Sequence, residues 1–325
     1  MKIDTRKLQK NPNYSGTCVA RKRLINVVDS TPLLPLKLGD ATLWCKCESR
    51  QPIGAFKLRG AWHRLSALSA AERENGVVAF SSGNHAQGVA WAAQRLGMAA
   101  TIVMPRDTPQ VKLDGTRALG AEIILYDRMT EKREEIAAAL AASRDAVLVP
   151  SYDDPWVIEG QGSAGIEAVE QLAELGLEPP DLIVTPCGGG GLAAGLALAI
   201  PHARIIVVEP EGWDDMGQSL LEGRIVPVGP NPPPTRCDAL QTLRVASLTF
   251  ELLRARGAKG VSVSEDETAT AMRHAWSALG ERLEPGGAVA LAALLAGKVE
   301  PGERTLVLLS GGNVEPALFD QVIAG

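Results

Sequence analysis

Aromatic residues are scarce in this chain of 325 residues, since phenylalanine, tyrosine and tryptophan together make up only 4% of it. The apolar share of 46% is therefore mostly alanine, leucine and valine, and it is large enough to bury a substantial core. Basic side chains are outnumbered by acidic ones, and the formal net charge is −5. This balance gives no reason to expect binding to nucleic acid or to an anionic membrane surface.

Cysteines are also few, and none has the spacing of a metal or redox motif. The five are Cys18, Cys45, Cys47, Cys187 and Cys237. An odd number without a CxxC pattern favours reduced thiols, as in a cytoplasmic protein. Residues 1–17 are polar and contain no apolar segment of the kind found in secretory signals, so we expect no secretory signal.

Long hydrophobic runs are limited to one uncharged stretch, residues 182–200, with the sequence LIVTPCGGGGLAAGLALAI. A membrane span is disfavoured because Pro186 and four consecutive glycines, Gly188 to Gly191, lie in its first half. The pattern instead predicts a short strand, a bare-backbone loop and a helix. An ordinary tight turn needs one or two glycines, whereas four create converging N–H donors at a helix N-terminus. We interpret this loop as a phosphate cradle.

The rest of the chain alternates between strand and helix patterns, most regularly from Gly76 onward. Strands are predicted at 77–80, 100–104, 121–126, 146–149 and 304–309, and helices at 86–97, 109–120, 130–144, 158–176 and 266–283. This order predicts an α/β protein with two open, mostly parallel sheets. We expect a large domain of residues 1–75 and 150–325, with a small domain of residues 76–149 inserted into it.

Three further loops contain chemically useful side chains, and open α/β sheets bind ligands past the carboxyl ends of their strands. Lys57 lies in GAFKLRGA, an apolar setting that would lower its pKa and suit Schiff-base chemistry, although a lone lysine is usually a surface residue. The segment Ser81-Ser82-Gly83-Asn84-His85 precedes a helix, so it predicts either a carboxylate-binding loop or a simple N-cap. The third segment is Ser310-Gly311-Gly312-Asn313.

Taken together, GAFKLRGA, SSGNHAQG, GGGGL and SGGN occur in an order that resembles the fold-type-II pyridoxal-phosphate enzymes. Within them the chain is similar to the serine/threonine dehydratase and serine racemase branch, from Thr31 to Asn313. The resemblance implies a tryptophan-synthase-β-like fold, a pyridoxal 5′-phosphate cofactor and an amino-acid substrate. It also implies a homodimer.

The resemblance also assigns roles to residues. It places these residues at the cofactor: Phe56, Lys57, Asn84, Gly188, Gly189, Gly190, Gly191, Leu192, Glu284 and Ser310. Lys57 would carry the cofactor and act as the catalytic base, and Ser310 would meet the pyridine nitrogen. A neutral serine there favours elimination over transamination. The substrate carboxylate would bind to Ser81, Ser82, Gly83, Asn84 and His85.

The implied activity is a dehydratase, or ammonia-lyase, that converts threonine, serine or 3-hydroxyaspartate into a 2-oxo acid and ammonia. Ser82 lies where racemising relatives have an acid/base on the opposite face, so serine racemase is the alternative activity. A different alternative is a phosphate- or nucleotide-binding protein without catalysis, although the chain has no P-loop pattern.

A metal site is implied as well, because Glu209, the carbonyl of Trp213 and Asp215 match a divalent-cation site of that branch. Oxygen ligands suit Mg²⁺ or Ca²⁺, while the alternative is a solvated acidic loop. Two positions depart from the resemblance or from its racemase members: Ala239 replaces a glycine near the cofactor, and Tyr152 replaces an asparagine of the racemases. Arg133 and Arg236 are candidates for binding a second substrate carboxylate, or are surface residues.

Overall fold

Apolar segments form two separate sheets in the computed structural model, which describes residues 10–81, 83–108, 110–127 and 129–325. The strands are β1 (Leu33–Leu38), β2 (Ala41–Cys47), β3 (Val77–Phe80), β4 (Ala100–Pro105), β5 (Glu122–Tyr126), β6 (Val147–Leu148), β7 (Leu182–Pro186), β8 (Arg204–Pro210), β9 (Lys259–Val263) and β10 (Thr305–Leu309). The helices are α1 (Tyr14–Leu24), α2 (Lys57–Ser66), α3 (Ala70–Asn75), α4 (Asn84–Leu96), α5 (Gln110–Ala118), α6 (Arg133–Arg144), α7 (Pro155–Glu174), α8 (Gly191–Ala199), α9 (Asp215–Glu222), α10 (Ser247–Ala255), α11 (Glu265–Leu279), α12 (Pro285–Leu295) and α13 (Pro316–Ala324).

The six-stranded sheet has the order β1-β2-β10-β7-β8-β9, and the four-stranded sheet has the order β5-β4-β3-β6. Strands β1 and β2 pair antiparallel, and the other pairs of these strands are parallel. The central strands β7 and β10 are buried at every residue, as expected for parallel strands covered by helices on both faces. The predicted α/β fold with two mostly parallel sheets is therefore confirmed.

Parallel pairing also brings the loops after several strands to one edge of each sheet. The segment that begins at Ser81 follows β3, the glycine loop follows β7, and Ser310 follows β10. Because β10 and β7 are direct neighbours, Ser310 and the glycine loop leave the same edge of the large sheet. The topology thus gathers the predicted site segments.

Helix ends differ from the predicted ends where local hydrogen bonds decide them. Helix α6 begins at Arg133 rather than at residue 130, because the N–H of Glu131 turns back to the carbonyl of Asp127 at 2.8 Å. Helix α11 ends at Leu279 rather than at residue 283, since Gly280 adopts a φ of +66° and caps the preceding carbonyls. In the described part of the chain, no helix is both long and apolar enough to cross a membrane.

The core around the smaller sheet extends beyond its own strands. Leu58 and Leu65 of α2 pack in the same buried cluster as Val77 and Ile102 of the small sheet. The predicted domain limits at residues 76 and 149 stay a prediction, since membership of a sheet does not define a unit that folds or moves alone.

Helix α2 is tied to the large sheet by a buried ionic network. The Arg59 guanidinium donates to Glu48 at 2.7 Å and to Glu167 at 2.9 Å, and Lys46 Nζ donates to Glu167 at 2.6 Å. These four side chains are at most 1% exposed. Burial opposes the ionisation of Glu167, but Arg59 and Lys46 outweigh it and hold its pKa down at about 2. Two cations therefore balance two anions inside the protein.

We expect Glu167→Ala to lower the free energy of unfolding by about 3–5 kcal/mol, because it leaves Lys46 and Arg59 buried without their shared acceptor. Glu170→Ala on the same helix is the matched control. Its side chain is 48% exposed and pairs with Arg21, so its loss should cost less than about 1 kcal/mol. Urea denaturation followed by circular dichroism measures both. Equal costs for the two variants would contradict a buried network.

Candidate active site

A cavity of about 310 Å³ lies between the two sheets, at the carboxyl ends of their strands. All of the segments that were predicted to bind the cofactor or the substrate carboxylate reach it. Its lining includes Phe56, Lys57, Ser81, Gly83, Asn84, His85, Gly188, Gly189, Gly190, Gly191, Leu192, Glu284 and Ser310. Of the predicted catalytic and carboxylate-binding residues, only Ser82 lies outside the described residues.

Lys57 is the first residue of α2, and two contacts fix the start of that helix. The N–H of Phe56 donates to the Ser310 carbonyl at 3.1 Å, and Ala55 forms an isolated antiparallel β-bridge with Gly311. Lys57 Nζ donates to the carbonyl of Ser151 at 3.0 Å and lies 5.1 Å from the centre of the Phe56 ring. Removal from water lowers the pKa of Lys57 to about 8, while the nearby Glu284 carboxylate opposes that shift. A fraction of the amine is therefore uncharged near neutral pH, as a nucleophile or base requires.

The glycine loop has no room for side chains. A methyl group on Gly189 would lie 2.3 Å from the Tyr152 ring, and one on Gly191 would lie 2.9 Å from Tyr152 Cβ. Gly190 adopts a φ of +86° and precedes the first residue of α8. Backbone N–H groups are thus exposed at a helix N-terminus, where an anion is stabilised by hydrogen bonds and by the helix dipole. The loop fits the phosphate of the implied cofactor.

A buried chain of hydrogen-bonded polar groups contains two of the predicted cofactor residues that line the cavity. Asn84 Nδ2 donates to Glu284 Oε1 at 2.6 Å, and Asn313 Nδ2 donates to Asn84 Oδ1 at 2.8 Å. The second oxygen of Glu284 is buried without a partner among the described residues. Burial, together with the charge of Asp238, raises the pKa of Glu284 to about 7. An unpartnered polar atom on the wall of a cavity fits a site that is completed by a ligand.

The loop of residues 81–85 supplies the start of α4. Gly83 N–H donates to Ser81 Oγ at 3.2 Å, and His85 Nε2 lies 2.9 Å from the carbonyl of Val149. A carbonyl only accepts, so His85 carries its proton on Nε2. Burial and the charge of Lys57 lower the pKa of His85 to about 3, which keeps the ring neutral.

Several residues of the cavity were not predicted from the sequence. They include Lys112 from α5, Asp238 from the short 3₁₀ turn of residues 238–240, Ser151, and Thr242. No local motif marks Lys112, whose place depends on the packing of α5 beside the small sheet. Of the two arginines considered for a second carboxylate, Arg133 lines the cavity, whereas Arg236 is half exposed and lies 3.9 Å from Glu265.

The predicted metal ligands lie behind the glycine loop and do not line the cavity. Glu209 is buried at the end of β8, and its oxygens accept from the N–H groups of Met216 and Gly217 at 3.1 and 2.8 Å. Both oxygens of Asp215 are buried without a hydrogen bond of good geometry, and burial raises the pKa of Asp215 to about 7, although the amides of Asp215 and Val245 oppose that shift. Trp213 is buried, and its Nε1 donates to the carbonyl of Pro233 at 2.8 Å. No group of three or more His, Cys, Asp or Glu side chains that could hold a metal is found among the described residues.

Comparison with known proteins identifies the family. Residues 25–311 match the family described as pyridoxal-phosphate dependent enzyme. The chain belongs to this family. It is 39% identical to an L-threo-3-hydroxyaspartate ammonia-lyase of Saccharomyces cerevisiae over 97% of both chains. It is also 35% identical to a serine racemase of Schizosaccharomyces pombe over 94% of this chain and 95% of that one.

Among solved structures, a maize serine racemase superposes with a TM-score of 0.88 at 33% identity, covering 97% of this chain and 98% of that one. A threonine deaminase superposes with a TM-score of 0.86 at 40% identity, covering 94% of this chain and 99% of that one. These similarities confirm the predicted branch of fold-type-II enzymes, the pyridoxal-phosphate cofactor and the class of activity, a pyridoxal-phosphate-dependent lyase. They favour an enzyme over the alternative of a phosphate- or nucleotide-binding protein.

We expect Gly190→Ala to weaken binding of pyridoxal phosphate by at least about tenfold, because the new methyl group would lie 2.6 Å from Met216 Cε and 3.0 Å from Thr249 Cβ. Gly223→Ala is the matched control, since Gly223 has a φ of +69° but nothing within 4 Å of the added group. Both variants carry the strain of a positive φ, about 1–2 kcal/mol. Only Gly190→Ala should change the affinity for pyridoxal phosphate, measured by titrating the apoenzyme with cofactor. A similar loss of affinity in both variants would contradict the role of the glycine loop in binding the phosphate.

Proposed function

We propose that this protein eliminates the β-hydroxyl group of an amino acid and releases a 2-oxo acid and ammonia. The observation that carries the proposal is the meeting of three features in one cavity: the Lys57 amine, the glycine cradle and the loop of residues 81–85. The relatives that act as ammonia-lyases support this reaction.

Some residues of the cavity bind the cofactor and the substrate, and others transfer protons. When bound, pyridoxal phosphate supplies an electron-withdrawing ring that stabilises negative charge at the substrate Cα. Lys57 then removes the Cα proton, a task that its lowered pKa suits. Ser310 is buried on the cavity wall, where it would be a neutral partner for the pyridine nitrogen and would thereby favour elimination.

The loop of residues 81–85 binds the substrate carboxylate through backbone N–H groups at the N-terminus of α4. Ser82 keeps its predicted role as an acid/base on the opposite face of the substrate, and that role remains a prediction. A serine racemase activity is the second candidate, favoured by the racemases among the relatives.

The lining of the cavity favours 3-hydroxyaspartate within this substrate class. The guanidinium of Arg133 lies 5.5 Å from the centre of the Phe80 ring at the cavity wall, where a second carboxylate would gain a charged partner. Threonine offers no such group. The hydroxyaspartate ammonia-lyases among the relatives support this choice.

We expect the holoenzyme to release ammonia from 3-hydroxyaspartate with a higher kcat/KM than from threonine or serine. Lys57→Ala should reduce release by at least about 10³-fold, because it removes the base and the covalent attachment of the cofactor. Lys132→Ala, at a lysine whose side chain is 74% exposed, is the matched control and should keep full activity. A panel of β-hydroxy amino acids with an ammonia assay and chiral analysis of recovered substrate measures this. If no member of the panel released ammonia, the proposed lyase activity would be refuted. If the recovered substrate were inverted at Cα without any release of ammonia, the protein would be a racemase.

We also propose that Asp215, Glu209 and the carbonyl of Trp213 bind Mg²⁺ or Ca²⁺, with water completing the coordination shell. The carboxylate of Asp215 supports this, because both of its oxygens are buried without a hydrogen bond of good geometry, and such a carboxylate is costly unless a cation neutralises it. The site lies beside the glycine loop, since Met216 follows Asp215 and its Cε contacts the position of Gly190. Cation binding would then stabilise the cradle.

We expect Mg²⁺ or Ca²⁺ at 100 times its Kd to stabilise the chelator-treated protein by about 2.7 kcal/mol. Asp215→Asn should abolish that gain. Asp214→Asn is the control: its side chain accepts from Gln218 Nε2 at 2.9 Å, and its loss should leave the gain intact. Denaturation midpoints with chelator and with each cation give the result, and the absence of any shift in the wild type would remove the metal from the proposal.

The homodimer and the cytoplasmic location stay predictions. All five cysteines are free in the structure, which is compatible with the reduced state expected from their number.

A further inference from the structure

The loop of residues 81–85 has no positive charge among its described residues. Ser81 and Asn84 are neutral, and so is His85, which donates its Nε2 proton to the Val149 carbonyl. The carboxylate of an amino acid loses much of its hydration when it enters a cavity, and neutral donors compensate for that loss less well than a cation does. The structure should therefore hold a cation next to this loop.

Lys112 of α5 brings such a cation. Only 9% of this residue is exposed, and it lines the cavity. A methyl group added to Gly83 would lie 3.8 Å from Lys112 Nζ, so the ammonium group is adjacent to the loop. The other two cations that line the cavity already have roles in the proposed function, since Lys57 is the base and Arg133 is the partner of a second carboxylate.

Lys112 forms an ion pair with Asp238 across the cavity. The two partners differ in burial, because the Asp238 side chain is 49% exposed while that of Lys112 is 11% exposed. Water can replace the partner of Asp238 at little cost, but Lys112 needs an anion at all times. An entering carboxylate can therefore take the place of Asp238.

We propose that Lys112 binds the α-carboxylate of the substrate, and that Asp238 holds the Lys112 ammonium in position until the substrate enters. The inference rests on the proposed function in that the ligand is an amino acid. It adds a binding residue to the loop of residues 81–85. It also gives a role to the acidic residue that precedes Ala239.

A purely structural role for the same ion pair makes the opposite prediction for one variant. If the pair only joined α5 to the turn of residues 238–240, removing either partner would harm binding to the same extent. If Asp238 instead competes with the substrate, Asp238→Asn frees Lys112 and tightens binding of a carboxylate. The sign of the Asp238→Asn effect thus separates the two roles.

Glycine and methylamine are suitable probes, because both amines change the visible absorption of the bound cofactor and only glycine carries a carboxylate. We expect Lys112→Gln to raise the half-saturating concentration of glycine by about 10- to 100-fold, the range for a contact with a charged group. Methylamine should change by no more than about twofold. Lys112→Arg should recover part of the glycine affinity, and Asp238→Asn should tighten glycine by about two- to tenfold. Lys132→Gln at the exposed Lys132 is the control and should change neither probe.

The proposal is wrong if Asp238→Asn weakens glycine as strongly as Lys112→Gln does. It is also wrong if Lys112→Gln weakens glycine and methylamine equally. If Lys112→Gln fails to fold, which its melting curve and cofactor absorption would reveal, the Asp238→Asn titration decides alone. Neither probe has a β-hydroxyl group, so the titrations remain decisive even if the panel of β-hydroxy amino acids yields no ammonia.

Discussion

The position of the Lys57 amine depends on the guanidinium of Arg59, which does not contact the substrate. Arg59 follows Lys57 by two residues on α2, and it is held between Glu48 and Glu167 in the interior. At the other side of Lys57, the N–H of Phe56 donates to the carbonyl of Ser310. A helix start that is fixed on both sides leaves Lys57 few orientations. The desolvation that lowers its pKa therefore comes with a defined position, and both are needed for chemistry.

The cavity combines contributions from both sheets, and it carries charges of both signs. Lys57, Lys112 and Arg133 supply positive charge, while Asp238 and Glu284 supply carboxyl groups. Glu284 titrates near neutral pH because burial and Asp238 raise its pKa to about 7. Of the three cations, Lys112 is paired with a carboxyl group of the cavity, Asp238, so an anionic ligand can bind Lys112 by displacing that carboxylate. Binding of a zwitterionic substrate is then, at Lys112, an exchange of one carboxylate partner for another.

The sequence predicts those parts of the fold and site whose signals are local. The continuous apolar runs of β7 and β10 and the four glycines between β7 and α8 are readable because each has a physical cause within a few residues. Strand β9, with the sequence KGVSV, is not predicted from the sequence, since it contains a glycine and only two apolar residues. Lys112 has no local signal at all. It reaches the cavity because β4 lies between β5 and β3, which places α5 beside the loop after β3.

The surroundings of Ala239, where the sequence departs from the family pattern, cannot be predicted from the sequence. Ala239 is exposed on the cavity wall, so its methyl group takes space from a ligand rather than from the core. The position facing it is Gly286, where an added methyl group would lie 3.5 Å from Ala239 Cβ and 3.2 Å from Leu240 Cγ. A side chain at residue 286 would therefore be tight against Leu240, whereas it would make only an ordinary contact with Ala239. Since Ala239 follows Asp238, the methyl group narrows the pocket beside the anion that faces Lys112, and it therefore acts on the shape available to the substrate more than on stability.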